Sequence, residues 1–185
     1  MMKGINFIGV FILFVFTAKA QDLKFSPIDS SPADIVYFPL NVAKAKDGSL
    51  PLIKVIYSRP AKKGREVFGV LEQYGKVWRL GANENTEIKF YKRVKIGGKT
   101  VKPGTYSLFA FPNKDKWTLI VNKQIDRWGA FTYDETKDVL RTEVPVKSLD
   151  KTLENFSITF TSNARGANLI LGWDKTLIEL PIEIK

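Results

Sequence analysis

Cysteine and histidine are both absent from the 185 residues. Their absence excludes a disulfide framework, a Cys/His zinc site, and the Ser-His-Asp and Cys-His arrangements of nucleophilic hydrolases. Internal repeats, low-complexity blocks and any sustained helical period are missing as well. After residue 20 no apolar run approaches the roughly 20 residues that a membrane-spanning helix needs. What is present is ordinary for a folded domain: 44% apolar and 26% charged residues, enough to bury a core. One domain over residues 21–185 is the expectation.

Residues 1–20 read as a cleaved signal peptide. Lys3 supplies a positive start, Ile5 to Phe16 is apolar apart from Asn6, and Ala18-Lys19-Ala20 has the small-x-small cleavage pattern. Cleavage after Ala20 leaves Gln21 first, and with no cysteine there is no lipid attachment. The expected location is periplasmic or secreted. Lys plus Arg number 29 against 19 Asp plus Glu, a formal net charge of +10. In an exported protein this basicity suits an anionic small ligand or envelope glycan better than nucleic acid, which is not expected as a partner. Scattered lysines also keep strand surfaces soluble.

From Asp34 onward, apolar and polar residues alternate in short runs bounded by Gly, Pro, Asn and Asp, which is the pattern of strands. The clearest run is Glu87 to Ile96, with Ile88, Phe90, Val94 and Ile96 on one face. Gly97-Gly98 then predicts a tight hairpin turn, and Pro103-Gly104 a bend before a strand over Thr105 to Phe111. Further strands are expected at Ile53 to Ser58, Trp117 to Asn122, Val139 to Val146, Asn155 to Thr161, Asn168 to Trp173 and Thr176 to Ile184. Pro181 lacks an N–H, so the last strand is expected at an edge or interrupted near its end. The architecture predicted is all-β, a two-sheet antiparallel sandwich of jelly-roll type, with a barrel as the alternative.

Two segments break the strand rhythm: Arg59 to Asn85 and Lys123 to Lys137. Long connections of this kind carry function more often than hairpin loops do. The first, read with the residues that flank it, carries Tyr57-Ser58-Arg59-Pro60, Lys63-Gly64-Arg65, Phe68-Gly69 and the block Tyr74 to Thr86. With Lys95 to Lys99, Pro103 to Phe109, Trp117-Thr118 and Trp128-Gly129-Ala130, these blocks resemble the family catalogued as domain of unknown function 2911 (DUF2911), found in exported proteins of Gram-negative bacteria. The resemblance runs from about Ser31 to Phe160 and implies an exported, mainly β domain with no assigned activity. It departs at Asn41 to Leu50, a longer insertion, and at Asn85, where the family pattern leads us to expect Ala.

Chemistry is therefore sought in the loop residues themselves. Arg59, Arg65 and Arg79 offer forked donors for carboxylate, phosphate or sulfate, and Trp78 a flat face for a sugar ring. Asn83 and Glu84 add donors and acceptors, and Trp128 from the second segment is expected to close one side. The competing reading has Arg59 and Arg79 paired internally with Glu84 or Asp138, and both tryptophans filling core. Glycan hydrolysis would need Glu84 paired with Glu66, Glu72, Asp126 or Asp138. No cofactor and no metal are expected, since the acids from Asp126 to Asp138 are too scattered for a calcium loop. Gly97-Gly98-Lys99-Thr100 is not a P-loop, because Arg93 stands where that motif needs Gly and a strand follows. Asn155-Phe156-Ser157 fits the glycosylation sequon but falls in a predicted strand. The residues favour a non-enzymatic binding module for a carbohydrate-like or anionic envelope ligand, with a glycan hydrolase and a structural or protein-partner role as alternatives.

Overall fold

A computed structural model describes residues 22–185, so the predicted signal segment lies outside the described residues. Its strands are β1 Ala33–Phe38, β2 Ile53–Ser58, β3 Thr86–Phe90, β4 Val94–Ile96, β5 Lys99–Val101, β6 Gly104–Phe111, β7 Lys116–Asn122, β8 Asp138–Asn163 and β9 Gly166–Ile184. All pairings are antiparallel, and they join nine strands in the order β1-β2-β3-β6-β7-β8-β9-β4-β5. β1 and β5 end the row, so the sheet is not closed into a barrel.

The protein is thus all-β, and its two layers share one strand. β8 pairs with β7 from Asp138 to Pro145 and then with β9 from Val146 to Asn163. Folding about β8 brings the layers face to face. Phe38 of β1 packs on Phe160 of β8 with ring centroids 5.8 Å apart, and Tyr57 of β2 meets Phe156 edge-on at 5.7 Å. Period-two alternation builds these faces: Ile53, Val55 and Tyr57 of β2 are buried, as are Thr86, Ile88 and Phe90 of β3.

Three strand expectations are corrected. The run Glu87 to Ile96 is two strands, because exposed Tyr91-Lys92-Arg93 carries the chain from one layer to the other. The alternation survives this crossing because Phe90 and Val94 are both buried toward the one core. Val139 to Val146 and Asn155 to Thr161 belong to one strand of 26 residues, and Asn168 to Trp173 and Thr176 to Ile184 to one of 19 residues. The polar stretch between each pair is an irregularity in the β8–β9 ladder, whose register shifts on either side of Leu153, opposite left-handed Asp174 (φ 54°). The Gly97-Gly98 turn forms as predicted and pairs Ile96 with Lys99. Pro181 falls where the β9 pairing with β8 has ended at Ile178 and that with β4 has yet to begin at Glu183.

The centre of the core is aromatic. Trp78 stacks on Trp173 at 5.9 Å and 20°, and meets Trp117, Phe68 and Phe156 edge-on at 5.7, 5.7 and 5.1 Å. Burying each such ring contributes about 1.5–3 kcal/mol. Trp78 comes from the long first loop, so that loop is sewn into the fold toward its C-terminal end.

Candidate functional site

The loop from Arg59 to Asn85 is held by short stitches rather than by regular structure. Trp78 N–H donates to Ala110 O at 2.8 Å and Ala110 N–H returns a bond to Trp78 O at 2.9 Å. Indole Nε1 donates to Gly81 O at 3.2 Å. Gly81 has φ 152° and passes so near β2 that a Cβ would stand 2.9 Å from Ser58 O. With Trp78 at 3% exposure, the expectation that it offers an open face to a sugar is corrected: its hydrophobic surface is taken up by the core.

Arg59 is equally occupied. Nη1 bonds Asp34 Oδ2 at 2.9 Å, Nη2 donates to Ser157 Oγ at 2.8 Å, and Nε donates to Phe156 O at 3.3 Å. Its internal partner is Asp34 on β1, not Glu84 or Asp138. Asp138 instead accepts from Asn122 Nδ2, Tyr133 Oη and Arg141 Nε at 2.7, 2.7 and 2.6 Å. Burial, with that bond to Asp138 next in weight, pushes the Tyr133 hydroxyl up to about 12. This network fixes the second loop.

Asn85 joins the two loops. It is 4% exposed; its Oδ1 accepts from Arg127 N–H at 2.8 Å, its own N–H donates to Arg127 O at 2.9 Å, and Nδ2 donates to Ser107 Oγ. Alanine, the residue expected there from the family pattern, would keep the backbone bond and lose both side-chain bonds.

A cavity of about 280 Å³ has a wall that includes Lys63, Arg65, Arg79, Glu72, Ser30 and Ser31. Two of the predicted residues meet here. Arg65 leans on its own loop, donating from Nε to Lys62 O at 2.8 Å and from Nη2 to Ala61 O at 2.7 Å. Arg79 differs: its Nε is buried and has no hydrogen-bond partner among the described residues, and it takes part in none of the ion pairs found there. Its place follows from the alternation Trp78-Arg79-Leu80, in which the residues on either side point into the core, while Thr86 N–H holds the Arg79 carbonyl at 3.1 Å.

Among the described residues Glu72 is the lone carboxylate in the cavity wall. Its backbone closes a tight turn, with its N–H on Val67 O and its carbonyl accepting from Gly69 N–H, both at 2.8 Å. Burial pushes the carboxyl up to about 7, against the pull of Arg79 and then Arg65. Among the glutamates considered for a hydrolase, Glu66 and Glu84 are exposed, as is Asp126, and none of them lines this cavity. The predicted pairing of Glu84 with a second acid is therefore not assembled there. Glu84 instead forms a backbone bridge with Trp128, which is 61% exposed. Asn83 donates from Nδ2 to Asp29 Oδ1 at 3.0 Å and accepts Gly129 N–H at 2.9 Å. Asp29 is held below the usual carboxylate range, chiefly by the Ser31 N–H and then by Asn83.

Lys63 joins the cavity wall although it is not among the residues the sequence singles out, and Glu72, expected only as one acid of a pair, stands in the same wall. Lys63-Gly64-Arg65 was the one local sign of a cationic turn; nothing local marks Glu72 as buried. Among the described residues no cluster of three or more acids is arranged to hold a metal ion, and no helix is long and apolar enough to cross a membrane.

Fold and cavity define an all-β domain with a small, cation-walled recess. The chain belongs to the family described as "Protein of unknown function (DUF2911)", whose model matches residues 39–182. No curated protein and no solved structure matches it.

Proposed function

We propose that this protein is an exported, non-enzymatic module that binds a carbohydrate-like or anionic cell-envelope ligand in the Arg79 cavity. The observation that carries this reading is the buried Arg79 Nε, which has no hydrogen-bond partner among the described residues. Leaving a buried N–H of a charged group unpaired costs about 1–3 kcal/mol or more, and the charge of an anion bound against the guanidinium would offset that cost. Lys63 and Arg65 in the same wall add to the attraction, and the basic chain steers anions toward it. About 280 Å³ suits one small ring or oxyanion. A binding role is favoured over hydrolysis because Glu72 has no second carboxylate beside it in the wall, and glycoside hydrolysis needs two.

Calorimetric titration of the purified protein with galacturonate, phosphate and neutral galactose tests the reading. At least one anion should bind and galactose should not, and Arg79→Ala should lower the anion's affinity more than tenfold in a variant with an unchanged circular dichroism spectrum. Equal binding by Arg79→Ala, or no anion binding at all, overturns it. The intact mass of the same preparation reads the export expectation directly, since cleavage after Ala20 leaves a chain beginning at Gln21.

A further inference from the structure

Two aromatic side chains stand in the open on the second loop. Phe131 is 82% exposed and Trp128 61%, although burying either would contribute about 1.5–3 kcal/mol. Slack in the loop does not explain this exposure. Arg127 is bonded to Asn85 in both directions, at 2.8 and 2.9 Å, Gly129 N–H is fixed on Asn83 O at 2.9 Å, and Tyr133 N–H on Ala130 O at 3.2 Å. The backbone on each side of both aromatics is therefore held, and the rings are presented outward by an ordered frame.

The frame also sets Phe131 next to Arg79 of the cavity wall. Gly129 has φ 66°, and the point where its Cβ would stand lies 2.9 Å from Phe131 Cε2 and 3.2 Å from Arg79 Nη1. One buried glycine thus has the guanidinium of the cavity wall and the exposed phenyl ring against the same point. Phe131 therefore stands beside Arg79, one residue of the cavity wall, with Trp128 three residues before it in the chain and Gly129 between them. Arg127 and Lys123, both exposed on this loop, add positive charge along the way.

We infer that Phe131 and Trp128 form an outer subsite that stacks the next sugar of an acidic oligosaccharide whose first acidic unit sits in the Arg79 cavity. The inference rests on the anion-binding reading above. Flat aromatic faces suit the apolar faces of sugar rings, and a polymer with one carboxylate per ring presents an acid to the cavity and further acids to Arg127 and Lys123. The ligand class is then a polyuronate-like glycan of at least two units, rather than a free oxyanion.

The test is a titration with galacturonic, digalacturonic and trigalacturonic acids into the purified protein, the double variant Trp128→Ala/Phe131→Ala, and Arg79→Ala. In the parent, affinity should rise about tenfold from one unit to three. The double variant, whose changes lie at exposed positions, should bind the single unit as the parent does and gain less than twofold with length. A parent without a length gain, or a double variant that keeps it, overturns the outer subsite. If the single unit still binds and is lost in Arg79→Ala, that failure leaves the cavity reading standing; if Arg79→Ala changes nothing, both readings fall. Binding to phosphatidylglycerol vesicles that depends on Phe131, without a gain from glycan length, would assign the aromatics to a membrane surface and also overturn the inference.

Discussion

Arg59 and Arg79 lie near the two ends of one loop, and the structure treats them in opposite ways. Around Arg59 the bonding capacity is used: three of its nitrogens reach Asp34, Ser157 and the Phe156 carbonyl, tying β1 and β8 to the end of β2. Around Arg79 it is not, for Nε is buried with nothing to bond among the described residues. The same residue type serves scaffold in one place and leaves an open requirement in the other. What separates them is whether the fold itself supplies acceptors, and that is the difference on which the functional reading depends.

The comparison is sharpened most by Trp78, which adjoins Arg79 in sequence and belongs wholly to the scaffold. Trp78→Ala should lower unfolding free energy by about 3–5 kcal/mol in urea denaturation, because it empties the centre of the aromatic cluster. A loss below about 1 kcal/mol would mean that the C-terminal part of the loop is not sewn into the core. Glu72→Gln comes next, through pH. A carboxyl raised to about 7 when folded keeps its proton longer than in the unfolded chain, so folding stability is fully present below about pH 4.5 and falls as pH rises toward about 7. Relative to Glu72→Gln, the parent should therefore lose on the order of 1–3 kcal/mol across that window and nothing more above it. Anion affinity should weaken over the same range, as Glu72 becomes charged beside the ligand, and should be nearly flat in the variant. Parallel stability curves for the two proteins would place Glu72 in water instead of in the wall. The smallest effect belongs to Glu84→Gln: exposed and outside the cavity, it should change neither stability by more than about 0.5 kcal/mol nor anion affinity. A large loss of binding there would move the site to the Trp128 side of the loop.

Much of the scaffold is legible in the residues. Ile53, Val55 and Tyr57 alternate toward the core and mark β2 to the residue, and Gly97-Gly98 marks its hairpin, because both signals are local. The crossing at Tyr91-Lys92-Arg93 is not legible: Phe90 and Val94 keep the same parity through it, so period-two reasoning sees one strand where there are two. The length of β8 is hidden for the opposite reason, since polar Asp150-Lys151-Thr152 reads as a turn although the chain runs on through a register shift. At the site, three arginines on one loop are visible in sequence, but which of them is already bonded depends on Asp34, Phe156 and Ser157, far away along the chain. Glu72 is hidden in the same way. The cavity wall it joins is assembled from Ser30-Ser31, Pro60-Ala61, Lys63, Arg65 and Gly81-Ala82, and no spacing along the chain announces that.

The most direct measurement is a side-by-side comparison of Arg59→Ala and Arg79→Ala by urea denaturation and by titration with galacturonate and with phosphate. Arg59→Ala should lose about 2 kcal/mol of stability, with three bonds removed from a half-exposed setting, and keep its anion affinity. Arg79→Ala should lose no stability, since an unpaired buried N–H goes with it, and lose anion binding. Arg79→Ala unfolding as readily as Arg59→Ala while both bind anions like the parent would contradict the account, and would make Arg79 part of the scaffold as well.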